Sequence, residues 1–149
     1  MVSLIDKSQV EQVVGTKIKN LGLYQKAFTH KSALKEYENL TESFETLEFI
    51  GDSVLGFVIT KYLFDRYENK QEGFLTKART KLVRGETLAH IAGYLKLNKY
   101  VIMDEKGMRN SWNTNTKILE DVFEALIGAI YMDIGLIHAK EFILRIYQD

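Results

Sequence analysis

Cysteine and proline are both absent from these 149 residues. Without cysteine there is no disulfide and no thiolate metal site, and nothing points to an oxidising compartment. Without proline, the breaks between elements fall to glycine and polar turns, which suits helices joined by short connections. Net charge is missing as well, since 20 Lys and Arg balance 20 Asp and Glu. Nucleic-acid binding normally draws on a basic excess, so this balance argues weakly against it. No apolar run reaches the roughly 18 residues needed to span a bilayer. Residues 1–10, which include Asp6 and Lys7, do not read as a signal peptide. The expectation is a cytoplasmic chain that avoids membranes.

Hydrophobic residues make up 46% and charged residues 27%, an ordinary balance for a globular protein and too apolar for disorder. Neither a repeat nor a linker-like stretch divides the sequence, so residues 1–149 read as one domain. Apolar residues recur at steps of three and four almost throughout, which predicts an all-α fold. Helices are expected over 7–14, 23–28, 32–37, 44–67, 75–82, 86–95, 116–132 and 136–147. Thr41 or Ser43 is the expected cap of the long helix. Gly73 is read as the break before the 75–82 helix, and the polar stretch 103–115 as an exposed loop. Leu4, Ile5, Val10, Val13 and Val14 are expected in the core.

Two segments carry chemistry. In Glu45-Thr46-Leu47-Glu48-Phe49-Ile50-Gly51-Asp52, helical spacing puts Glu45, Glu48 and Asp52 within an arc of roughly 60°. The surrounding positions, Leu47, Phe49, Ile50, Val54, Leu55, Phe57, Val58 and Ile59, are apolar nearly all round, as in a buried helix. In the second segment Asp121 and Glu124 share a face amid Ile118, Leu119, Val122, Phe123, Leu126 and Ile127, with Lys117 one turn before Asp121. Gly56 and Gly128 continue the two acidic faces and would let the helices cross closely or admit a ligand backbone. Buried carboxylates are costly without a cation. If the stripes face each other, their carboxylates surround a small volume, and oxygen ligands alone select Mg²⁺ or Mn²⁺. Magnesium bound this way points towards phosphoryl-transfer chemistry. Salt bridges to basic residues remain the alternative for these acids. A di-iron site of the ferritin type needs Glu-x-x-His pairs, and neither stripe contains a histidine.

The first segment, continued through Ser53-Val54-Leu55, closely resembles the signature of ribonuclease III catalytic domains. Three further segments match that family in the same order: Ala27-Phe28-Thr29-His30-Lys31-Ser32, Lys81-Leu82-Val83-Arg84-Gly85-Glu86-Thr87-Leu88-Ala89, and residues 119–133 around Asp121 and Glu124. The resemblance implies the helical fold of the ribonuclease III endonuclease domain. It also implies a homodimer that hydrolyses double-stranded RNA with Mg²⁺, leaving 5′-phosphates and short staggered 3′ overhangs. By resemblance Glu48, Asp52, Asp121 and Glu124 hold the metal, and Asp52 and Glu124 take the most direct part in catalysis. Glu45 and Glu72 match acids lining the RNA-cleaving valley, and Phe49 matches an aromatic of the dimer interface. Lys117 matches a catalytic lysine of the eukaryotic branch, which includes Dicer-like enzymes. The family often carries Asn-Pro-Lys where this chain has Asn115-Thr116-Lys117, so a looser loop is expected there. The double-stranded RNA-binding domain that the family commonly appends is not visible in this sequence.

Lys77, Lys81 and Arg84 share one face of the basic helix and its exit, as RNA-phosphate contacts or as a solvated surface. Lys106 and Arg109 stand equally between those two readings. His30 is expected to cap a helix end, and Trp112 to pack locally. A rival from another class is a non-catalytic dimerisation or RNA-scaffold domain of the same fold. Such relatives typically lose some of the acids, and this chain keeps all four.

Overall fold

A computed structural model describes residues 5–148, which fold into eight α-helices joined by short turns. They are α1 (Lys7–Val14), α2 (Leu21–Phe28), α3 (Glu45–Arg66), α4 (Glu72–Val83), α5 (Gly85–Tyr94), α6 (Glu105–Arg109), α7 (Thr116–Ile134) and α8 (Leu136–Tyr147). Short 3₁₀ turns at Lys31–Lys35, Leu97–Tyr100 and Trp112–Thr114 link them. The described residues contain no strand, only a parallel bridge between Thr29 and Ile102. The all-α expectation holds. No helix among the described residues is long and apolar enough to cross a membrane.

Helix α7 is the hub. It packs against α2, α3, α5 and α8, and every residue from Asp121 to Ile130 is buried. Its apolar residues on all sides are therefore explained by neighbours on all sides. The two ends of α7 are fixed by polar side chains. The Asn115 carboxamide oxygen accepts from Lys117 N at 2.9 Å and Ile118 N at 3.2 Å, capping the N-terminus. Near the other end the Asp133 carboxylate accepts from Lys19 N, Asn20 N and the Tyr24 hydroxyl, tying the start of α2 to α7. At the C-terminus of α8, Tyr147 donates its hydroxyl to Leu82 O at 2.7 Å and anchors the end of α4.

Helix α3 departs from the expected pattern. It is not buried all round: one face packs inward through Leu47, Gly51, Val54, Leu55, Val58, Ile59 and Leu63. The other leaves Phe49, Phe57 and Phe64 exposed at 78%, 59% and 65%. An apolar composition cannot separate a helix buried within its own chain from one that keeps an aromatic face outside. Neither Thr41 nor Ser43 caps α3; Phe44 holds the cap position without a side-chain hydrogen bond, and the Ser43 hydroxyl turns to the Glu45 carboxylate. Gly73 lies inside α4, which begins at Glu72. The stretch 103–115 is also more ordered than a polar loop, for it contains α6 and a 3₁₀ turn and buries Met103 and Gly107. Trp112 packs against the core there, as expected. Ile5, Val10 and Val14 are core residues with Val13 packed beside them, while Leu4 lies outside the described residues.

The α3–α7 crossing depends on two glycines. A Cβ on Gly51 would stand 1.7 Å from the Glu124 carbonyl oxygen, and one on Gly128 would stand 2.1 Å from Leu47 O. Both obstacles are backbone, so neither could move aside cheaply. Around Gly56 nothing lies within 4 Å, so it takes no part in the contact. Gly128→Ala is therefore expected to cost about 2 kcal/mol or more by forced separation of the helices. Gly56→Ala, in an open helix interior, should gain about 0.5–1 kcal/mol. Urea unfolding of the two variants distinguishes them; equal effects would contradict the backbone contact.

Candidate metal centre and active site

The glycine contact sets the positions of the acids. Gly51 meets the backbone of Glu124, and Gly128 meets that of Leu47, so α3 and α7 cross with Glu48 and Glu124 on the same side. One carboxylate oxygen from each of Glu48, Asp121 and Glu124 then lies within 4.8 Å of the others. Asp121 and Glu124 are buried and Glu48 is half-buried. Asp52, one turn along α3, is exposed and stands outside this trio. It reaches the Glu124 carboxyl in hydrogen-bonding contact.

Crowded acids in a partly dry site repel each other's negative charge. Burial, and then the contact with Asp52, push the Glu124 carboxyl up to about 9. Burial followed by the neighbouring Asp121 raises Glu48 to about 7. Lys117 Nζ lies 3.0 Å from Asp121 Oδ1 and 3.6 Å from Glu120 Oε1. Its contact with Asp121 holds the ammonium above its ordinary value. The Asp121 Oδ1 that Lys117 meets is buried. At 3.0 Å the ammonium gives charge compensation. Three convergent hard oxygens, with Glu48 and Glu124 raised by burial and then by neighbouring acids, fit a divalent cation such as Mg²⁺ or Mn²⁺.

The other sequence-predicted residues fall into two groups. Glu45 borders the cluster, since its charge raises Glu48, although it is itself exposed and held by the Ser43 hydroxyl. Lys117 joins it through Asp121. Asn115-Thr116-Lys117 lacks the rigid proline, and the Asn115 cap fixes its backbone instead. Glu72 is not brought to the cluster within this chain. It sits in the first turn of α4, accepts from Thr76 Oγ1 at 3.2 Å, and lines a cleft with Thr60, Phe64 and Arg79. Thr60 is twelve residues beyond Glu48 on α3, roughly 18 Å along the helix. Lys77, Lys81 and Arg84 are exposed on α4 and its exit. Phe49 opens the exposed aromatic face of α3, adjacent to the acidic one. His30 caps a turn, its Nδ1 accepting from Ser32 N at 3.1 Å. Two residues of the site were overlooked in the sequence. Gly51 is the close-contact residue rather than Gly56, and Glu120 shares Lys117; the i,i+3 spacing was its available signal.

Residues 20–149 match the Ribonuclease-III-like family. The chain is 48% identical over 141 residues to a putative protein of Paramecium bursaria Chlorella virus 1, spanning 95% of this chain and 50% of that one. Ribonuclease 3 of Francisella tularensis subsp. holarctica is 42% identical over 141 residues, spanning 95% and 58%. Among solved structures, the nuclease domain of ribonuclease III from Campylobacter jejuni superposes with a TM-score of 0.87 at 34% identity, covering 96% of both chains. Dicer from Pichia stipitis gives a TM-score of 0.65 at 31% identity, covering 88% of this chain and 55% of the other. This chain belongs to the Ribonuclease-III-like family and has the fold of its nuclease domain. It spans about half the length of the curated relatives it matches.

The raised carboxyls predict a pH dependence. Without a cation, the folded state holds protons on Glu48 and Glu124 that the unfolded chain, with values near 4.5, would release. Their contribution to stability is complete below about 4.5 and is lost as pH rises through about 7 and about 9. Melting temperature in EDTA should therefore fall from pH 5 to pH 9, less steeply in a Glu48→Gln/Glu124→Gln variant. Mg²⁺ should restore the loss most at high pH, with proton release on binding. An equal slope in the variant would contradict the raised values.

Proposed function

We propose that this domain is a divalent-cation-dependent endonuclease of double-stranded RNA, acting as a homodimer. The observation that carries the reading is the convergence of Glu48, Asp121 and Glu124 oxygens within 4.8 Å at a crossing the fold enforces. What a bound Mg²⁺ or Mn²⁺ supplies is Lewis acidity towards a phosphodiester and a water acidic enough to attack near neutral pH. The chain's own residues do the rest. Glu48, Asp121 and Glu124 bind, and Asp52 orients Glu124 and stays open to solvent, where a water can be held. Lys117, exposed at 67% on its side chain, is free to swing from Asp121 to a phosphate oxygen and offset developing charge. Lys77, Lys81 and Arg84 contact the duplex backbone, which is how double-stranded RNA is mainly recognised. Glu45 and Glu72 line the RNA path. With no excess of basic residues overall, affinity for RNA is weak and falls steeply with salt.

The exposed face of α3 supports the dimer. Phe49, Phe57 and Phe64 recur at steps of eight and seven on one helical face, and Leu136 and Ile137 add exposed apolar surface across the α3–α8 groove. A patch of this kind marks an interface. A region involved in dimer formation is named for the Campylobacter jejuni nuclease domain. Pairing two copies sets two sites against one duplex, one per strand, and gives staggered cuts with 5′-phosphates and short 3′ overhangs.

Incubated with a labelled RNA duplex and Mg²⁺ at low salt, the protein should give staggered double-strand cuts abolished by EDTA. An Asp52→Ala/Glu124→Ala variant should fall by at least about a thousandfold. Equal cutting by the variant would refute the site, and no cutting by the wild type would favour a scaffold role. Phe49→Glu should convert a dimer to a monomer in light scattering; an unchanged mass would refute the α3 interface.

A further inference from the structure

We propose that Glu120 is a positioning residue that keeps Lys117 at the carboxylate cluster once a divalent cation engages Asp121. This rests on the nuclease reading above. Lys117 reaches Asp121 one turn ahead at 3.0 Å and Glu120 at 3.6 Å. The two acids differ in what else they do. Asp121 is one of the three whose oxygens converge, whereas Glu120 is outside that group. A carboxylate that coordinates a dication offers little net attraction to an ammonium, because the cation repels the same lysine. Some other anion must then hold Lys117 beside the site.

Glu120 is built for that task from its far side. Its side chain is 21% exposed, and its carboxylate lies against Gly85, where a Cβ would come within 2.6 Å of Oε2. Gly85 opens α5, and no side chain caps that N-terminus. An anion at this end of a helix is favoured by the unpaired N–H groups and the helix dipole. The carboxylate thus spans from the start of α5 to Lys117, joining the exit of basic helix α4 to the first turn of α7. The glycine at position 85 is the space that this anchor requires.

The test reads Lys117 directly, by acetic anhydride labelling resolved by peptide mass spectrometry, with Lys77 as internal reference. In EDTA, Asp121→Asn should leave Lys117 protected. Asp121→Asn/Glu120→Gln should label about twofold to fivefold faster, the range for loss of an exposed ion pair. Gly85→Ala, which displaces Glu120 without removing any charge, should raise labelling in the Asp121→Asn background too. With Mg²⁺ present, Glu120→Gln alone should expose Lys117 and lower kcat for duplex RNA roughly tenfold with KM within twofold. Equal Lys117 labelling with and without Glu120 would overturn the proposal, as would faster labelling with an unchanged kcat. Should the wild type neither bind Mg²⁺ nor cut RNA, the nuclease reading fails. The EDTA series would still decide whether Glu120 holds Lys117.

Discussion

The approach of α3 to α7 at Gly51 and Gly128 is the constraint on which the rest of the molecule depends. Helices bearing ordinary side chains pack about 8–10 Å apart. Here each glycine faces a carbonyl of the other helix, with room for no Cβ. Leu47–Gly51 on one helix and Glu124–Gly128 on the other are both one turn apart, so the contact fixes rotation as well as distance. Glu48 follows Leu47, and Glu124 is itself a contact residue. The acids are therefore brought together by backbone packing, and their own interactions oppose it.

That opposition has a chemical consequence. Burial and mutual repulsion raise Glu48 and Glu124 well above ordinary carboxyl values, and the buried Asp121 Oδ1 is offset by the Lys117 ammonium. Packing around α7 holds this unfavourable arrangement, since α2, α5 and α8 enclose the helix on its other sides. A site kept in this state would gain from a divalent cation, which displaces the protons and neutralises the crowded charge. Lys117 is the internal substitute for that cation, paired with Asp121 yet mostly exposed. On the proposed reading it exchanges partners when metal and phosphate arrive.

Much of this was legible in the sequence. Period and spacing predicted the helices and put Glu45, Glu48 and Asp52 on one face and Asp121 and Glu124 on another; the family resemblance then selected Glu48, Asp52, Asp121 and Glu124. Three of those converge, and the fourth contacts Glu124. Other features depend on where a neighbour lies, which one chain's pattern does not carry. Gly51 and Gly56 lie roughly 140° apart on a helical wheel, and only the position of the neighbouring helix decides that Gly51 meets a carbonyl and Gly56 does not. Phe49 and Phe57 counted among the apolar residues of a helix expected to be buried, although the resemblance put Phe49 at a dimer interface; both are exposed, as is Phe64, because the burial they call for is not provided within the chain. Residues 103–115 looked like a loop because their polar residues conceal a helix of only five residues and two inward positions, Met103 and Gly107. Glu72 carries an acid expected in the valley, yet its place on α4 sets it apart from the cluster in this chain.

The central claim is that the crossing builds a cation site from Glu48, Asp121 and Glu124. A crystal grown or soaked with Mn²⁺, measured for anomalous scattering at the manganese edge, tests it most directly. The account predicts a peak bounded by these three carboxylates at oxygen distances near 2.0–2.2 Å, with Lys117 turned from Asp121 towards Glu120. A peak elsewhere, or none with Lys117 still on Asp121 under saturating Mn²⁺, would contradict it.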